Sequence, residues 1–165
     1  MKTKLLSLIL PIVLVLSMSS CSNDSSADVA IDATLVTNYD STSEEIQLAQ
    51  LINDYRVSQG KNALEVVNHI SFKSQEHNFY MIEKNVVNHD YFDQRSSNII
   101  AVLGAVKVGE NIAYNFSTPT SALHAWKNSP GHKINLDGDY THFGISITVN
   151  PTNGKKYYTN IFMKK

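Results

Sequence analysis

The stretch Trp126-Lys127-Asn128-Ser129-Pro130-Gly131-His132-Lys133-Ile134-Asn135, followed by Tyr140-Thr141-His142-Phe143-Gly144, decides the fold. Pro130 cannot continue a helix arriving through Trp126, because its ring clashes with the preceding turn and drives residue 129 into extended backbone. The same proline suits the first turn of a new helix, where its missing N–H costs nothing, and Ser129 is a capping residue type. His132 then lies in that first turn, near the positive end of the helix dipole. A dipole there disfavours imidazolium, which predicts a neutral ring able to bind a metal or accept a proton. Downstream, Phe143, Ile145, Ile147 and Val149 alternate with His142, Gly144, Ser146 and Thr148 as a strand does. Asn150-Pro151-Thr152-Asn153-Gly154 is a hairpin turn signal, and Lys156 to Met163 forms the return strand.

Working back from Trp126, Ser117-Thr118-Pro119 gives a second cap-and-proline helix start, with Ala122, Leu123 and Trp126 on the inner face and His124 in solvent. Val106 to Tyr114 alternates as a strand. Glu110 shares parity with Val106, Val108, Ile112 and Tyr114, which sets a carboxylate on an apolar face. Such a group must be protonated, paired or bound to a cation, unless a bulge at Gly109 turns it outward. The partnered, cleft-facing arrangement is the preferred reading. Asn88 to Arg95 is a short polar and aromatic loop leading into a helix that ends with Ile99 to Leu103 and Gly104. His89 in that loop has no apolar neighbours to bury it.

A helix over roughly His69 to Lys84 carries Ile70, Ser74, His77 and Met81 on one stripe, with Phe72 and Phe79 beside it. His77 reads there as a hydrogen-bonded core histidine, and His69 has no assigned role. Further back, Thr42 and Glu45 form a capping-box pattern. Ile46, Leu48, Leu51, Ile52 and Tyr55 follow at helical spacing up to Gly60, with Asn53, Arg56 and Gln59 on the polar side. Helices first and mainly antiparallel strands afterwards predict an α+β domain, or a three-layer α/β/α sandwich.

The chain of 165 residues, 42% hydrophobic and 18% charged, suffices for one domain. Residues 1–20 read as a signal peptide: Lys2 and Lys4, an apolar run from Leu5 to Leu16, then small residues. That run is too short to span a bilayer, which takes about 20 residues. Without Lys2 and Lys4 the formal charge of −1 becomes −3, and no basic cluster or DNA-binding signature exists, so nucleic acid is not an expected partner. The sole cysteine, Cys21, follows the leader directly. This arrangement resembles a bacterial lipoprotein signal, with lipid on Cys21 and the membrane as partner, although Met18 replaces the usual leucine. Residues 22–43, rich in Ser, Asp, Asn, Thr and Ala, read as a tether on which Ile31, Leu35, Val36 and Tyr39 are candidate docking residues. The domain proper, 44–165, has no cysteine and thus no disulfide.

His89, Glu110, His132 and His142 come from four different elements, at separations of 21, 22 and 10 residues. Three imidazoles and a carboxylate suit zinc or a similar cation if they converge, although this spacing is no short metal motif. The ordered blocks Asn88-His89 with Phe92 and Arg95, Gly109-Glu110-Asn111-Ile112-Ala113, Ala125 to His132 with Asn135, and Thr141-His142-Phe143-Gly144-Ile145 resemble those of the CAP superfamily, the SCP-like extracellular domains, in bacterial form. Leu51 to Arg56 and the helical His77 fit the same pattern, so the resemblance spans about residues 44–165. It implies an α/β/α sandwich with a central cleft of two histidines and two acidic residues. His89 and Glu110 match the first histidine and the Gly-Glu-Asn glutamate, and His132 matches the Ser-Pro-Gly-His histidine. His142 sits where many bacterial relatives carry Glu or His. The disulfides and the His-Tyr-Thr-Gln block of eukaryotic members are absent.

The functional expectation is a monomeric, envelope-anchored extracytoplasmic binding domain, more a binder than an enzyme. His89 and His132, with Glu110 and His142, would hold a divalent cation such as Zn2+, or orient a lipid or glycan-like ligand. A rival reading is a protease-like hydrolase, with Glu110 and His132 activating water. Against it stands the absence of a nucleophile: Ser129 reads as a cap, Cys21 lies outside the domain, and no Gly-x-Ser-x-Gly elbow exists. A third is a structural or adhesive surface protein whose cleft histidines only join a hydrogen-bond network.

Overall fold

Thr42 opens the first described helix, α1 (Ser43–Ser58), with a full capping box: its hydroxyl accepts from the Glu45 N–H, and Glu45 accepts from the Thr42 N–H. The structure is a computed structural model that describes residues 34–165. The signal peptide, Cys21 and the first part of the tether lie outside the described residues. After α1 come a two-residue strand β1 (Glu65–Val66), helices α2 (Asn68–Lys84) and α3 (Phe92–Leu103), and strand β2 (Lys107–Tyr114). Helices α4 (Pro119–Asn128) and α5 (Pro130–Leu136) and strands β3 (His142–Val149) and β4 (Lys156–Lys164) complete the chain. The sheet order is β1-β3-β4-β2, with β4 antiparallel to both long neighbours and only β1 parallel to β3.

The sheet alternation assigns each face its own core. Phe143, Ile145, Tyr158 and Phe162 point to one side and pack against Leu48 and Ile52 of α1, Trp126 of α4 and Leu136 of α5. Ile161 and Met163 point to the other, against Ile70 of α2 and Ile99 of α3. The result is the expected α+β fold in three layers, helices on both faces of a mainly antiparallel sheet. Trp126 is the largest fully buried side chain, and its indole N–H donates to the Ile112 carbonyl at 2.8 Å. α2 lies so close to β3 that a Cβ on Gly144 would strike the backbone of Ile70 and Ser71.

Several side chains depart from the periodic reading. Arg56, expected on the polar side of α1, is fully buried and donates to the carbonyls of Asn62, Leu136 and Gly138. Helical periodicity cannot foresee this, because a guanidinium that finds carbonyls can cross an apolar interface. Ile46, expected on the apolar stripe, is exposed, as is Phe79 on α2. His69, left without a role, is fully buried: the Val36 N–H donates to its Nδ1 at 3.1 Å, so Nε2 carries the proton and donates to Asn98 Oδ1 at 2.7 Å. Residues 34–42 have no helix or strand, yet they are bound to the domain. Besides Val36, the Thr37 carbonyl accepts from Asn68, and Tyr39 Oη donates to Glu45 at 2.9 Å and shares a hydrogen bond with the Ser146 hydroxyl at 3.2 Å. The end of the tether is therefore part of the packed structure.

Candidate functional site: a histidine cleft built on Glu110

Glu110 lies in the middle of β2, in regular register opposite Ile161, so no bulge at Gly109 turns it outward. Gly109 is needed for another reason: a Cβ there would run into Tyr140 Oη and Asn135 Oδ1. The Glu110 side chain is almost fully buried and faces the α2–α3 layer. Arg95 of α3 meets it with one edge of its guanidinium, Nε donating to Oε2 at 2.9 Å and Nη2 to Oε1 at 2.8 Å. His89, in the loop before α3, donates Nδ1–H to Oε1 at 2.8 Å. Burial works against the charged carboxylate, but the His89 hydrogen bond and the Arg95 charge outweigh it, holding the pKa of Glu110 below the usual value.

His77 of α2 closes the site from behind. Its Nε2–H donates to the Asn88 carbonyl at 2.8 Å, and Nε2 stands 4.0 Å from Glu110 Oε1. Nδ1 is buried with no hydrogen-bond partner. Burial pushes the His77 pKa down, so the ring is neutral. The hydrogen-bonded core reading of His77 holds, and its bond to Asn88 also fixes the loop that presents His89.

His132 comes from α5, on the other side of β2. Ser129 takes the extended N-cap conformation and Pro130 begins the helix, but the Ser129 side chain makes no cap bond. What fixes this short helix is a ladder of amides. Asn111 donates to the His132 carbonyl at 3.0 Å, Asn135 to the Glu110 carbonyl at 3.1 Å and to Asn111 Oδ1 at 2.9 Å, and Tyr140 to Asn135 Oδ1 at 3.3 Å. Glu110 and Asn111, being adjacent in a strand, thus reach opposite layers and tie both to β2. The pKa of His132 is lowered as the sequence suggested, but burial is the main cause and the nearby charge of His89 the second.

The structure thus brings His89 and Glu110 into direct contact and sets His132 close enough to feel His89. His142 is elsewhere. It shares a sheet face with Glu110, but β4 lies between their strands, about 10 Å of sheet. Its ring bonds Thr141 Oγ1 at 2.7 Å and approaches Glu65 at 3.5 Å. Among the described residues no group of three or more His, Cys, Asp or Glu side chains is arranged to hold a metal ion. Sequence reasoning gave Arg95 no role. The signal was present: a carboxylate on an apolar strand face needs a cation, and Arg95 is the only Lys or Arg between Lys84 and Lys107.

With this geometry in place, the comparison with known proteins is direct. Residues 49–162 match the family model CAP, cysteine-rich secretory protein family. The chain belongs to that family. This CAP domain is 34% identical over 128 residues to an uncharacterized membrane protein, YlbC, of Bacillus subtilis (strain 168), covering 75% of this chain and 35% of that protein. It thus spans about a third of that relative's length. Among solved structures it resembles an extracellular protein containing a SCP domain from Bacillus anthracis str. Ames, with TM-score 0.64 and 26% identity over 74% of this chain and 40% of that one. An outer surface protein from Borrelia burgdorferi shares the fold, with TM-score 0.68 and 20% identity over 79% of this chain and 99% of that one. No helix among the described residues of the CAP domain is long and apolar enough to cross a membrane.

Proposed function

We propose that this CAP domain works outside the cytoplasm, anchored to a membrane through lipid on Cys21, as a binding domain whose cleft takes a divalent cation such as zinc or orients a lipid or glycan-like ligand. His89 and His132 are the binding groups, and Glu110 is the residue that positions His89. One observation carries the reading. Glu110 accepts from His89 Nδ1–H, which keeps Nε2 outside that bond on a side chain that is 51% exposed, and the neutral ring then presents the Nε2 lone pair to a ligand. A carboxylate behind an imidazole is the support that metal-binding histidines have. Glu110 itself, engaged by two donors from Arg95 and one from His89, has little capacity left to ligate a cation or to act as a base. Hydrolysis is for that reason the weaker reading.

The test is zinc calorimetry on the purified protein. Binding is expected in the wild type, to weaken most on His132→Ala, and to be lost in the His89/His132 double alanine. His124→Ala, an exposed control, should change little. Affinity should fall with pH through the histidine range, since protonated imidazole cannot ligate. Equal binding by the wild type and the double variant refutes the cation site.

A further inference from the structure

Tyr91 combines two features that rarely coincide. Its backbone is left-handed, φ 59°, which is costly for a side chain with a Cβ, and it shares a positive φ only with Asn85 and Asn115 among the described non-glycine residues. Yet the residue is 56% exposed, and its ring meets that of Tyr80 in an edge arrangement, centroids 5.2 Å apart at 87°. The loop beneath it is rigid. Asn88 Nδ2 and Tyr80 Oη both donate to Asp90 Oδ2 at 2.8 Å, Arg95 donates to the Asp90 carbonyl at 2.7 Å, and the Tyr80 ring stacks on His77. A largely exposed aromatic residue is thus held beside His89, at a recess of about 460 Å³ lined by His89, Asp90, Tyr91, Phe92, Asp93 and Gln94.

We propose that this recess is a carbohydrate subsite in which a neutral sugar ring lies against the face of Tyr91. Its hydroxyls bond Asp93, Gln94 and Nε2 of His89. The lining selects this chemistry. It offers an apolar ring face and an array of acceptors with no Lys or Arg, so it suits a ligand rich in hydroxyl donors and disfavours an anion. An acyl chain would leave Asp93 and Gln94 buried and unpaired. An amine could sit over the ring, but the Asp90 oxygen nearest the loop already accepts from two donors. The hydrogen-bonded loop limits the ordering cost of binding. The inference deepens the cleft reading and shares only His89 with it.

The test is an amide NMR titration of the full-length protein with chitotetraose, cellotetraose and mannotetraose at millimolar concentration, and with tetramethylammonium. At least one tetrasaccharide is expected to shift residues 88–94. Binding should fall at least tenfold in Tyr91→Gly and survive in Tyr91→Trp. Because glycine relieves the left-handed backbone, Tyr91→Gly should melt no lower than the wild type, which separates a ligand contact from a structural one. His132→Ala should weaken zinc binding but leave the sugar shifts, so the two readings fail independently. No shift with any sugar, shifts unchanged in Tyr91→Gly, a lower melting temperature for that variant, or shifts with tetramethylammonium alone would each overturn the proposal.

Discussion

Arg95 and Glu110 are joined side by side, guanidinium edge to carboxylate edge, in a nearly closed interior between α3 and β2. The pair does more than neutralise charge. It holds the carboxylate in one orientation, and the carboxylate in turn orients the His89 ring through Nδ1–H. The exposed imidazole is therefore positioned by residues that a ligand does not reach.

Removing one member of such a pair strands the other as a buried charge. Arg95→Met should cost about 3–5 kcal/mol in urea denaturation. The double variant Arg95→Met/Glu110→Leu should recover much of that loss. A cost below about 1 kcal/mol for the single change would show that water reaches Glu110 freely.

The lowered pKa of Glu110 also sets a pH dependence. The unfolded chain takes up the proton near 4.5, the folded one at lower pH, so the stabilisation is complete above about 4.5 and is lost as pH falls through the folded value. Urea midpoints should therefore drop more steeply below pH 5 in the wild type than in Glu110→Gln. Parallel profiles would remove Glu110 as a source of acid sensitivity.

Trp126 combines burial with a hydrogen bond. Trp126→Ala should cost about 3–5 kcal/mol. Trp126→Phe keeps most of the apolar contact but leaves the Ile112 carbonyl without its side-chain donor, for about 1–3 kcal/mol. Chemical denaturation of the two variants checks both the size and the order.

For the anchor, Cys21→Ser should move the mature protein from the membrane to the soluble fraction on cell fractionation, without altering the domain's melting temperature. Unchanged retention would end the lipoprotein assignment.

Much of the fold was legible because its signals are local. The Thr42–Glu45 capping box, Pro119, Pro130 and the Asn150–Gly154 turn each act within a few residues, and α1, α4, α5 and the β3–β4 hairpin lie where those signals set them. What escaped is long-range and polar. Arg56 is buried because carbonyls near Leu136 and Gly138 come to meet it, and His69 because Val36 and Asn98 do. No periodicity carries that information. At the site, the parity of Glu110 correctly predicted burial, whereas grouping His142 with it required knowing that β4 would come between their strands.

The hydrogen bonds of Val36, Thr37 and Tyr39 give the domain a mechanical property. A pull on the chain ahead of Thr34 does not peel α1 from its first turn. It loads the Val36–His69 and Thr37–Asn68 contacts first, and then Tyr39, whose partner Glu45 also accepts from the Ile147 N–H at 2.8 Å. Tension is thereby taken first by α2, and it reaches the first turn of α1 and strand β3 through Tyr39 and Glu45 only when those contacts part.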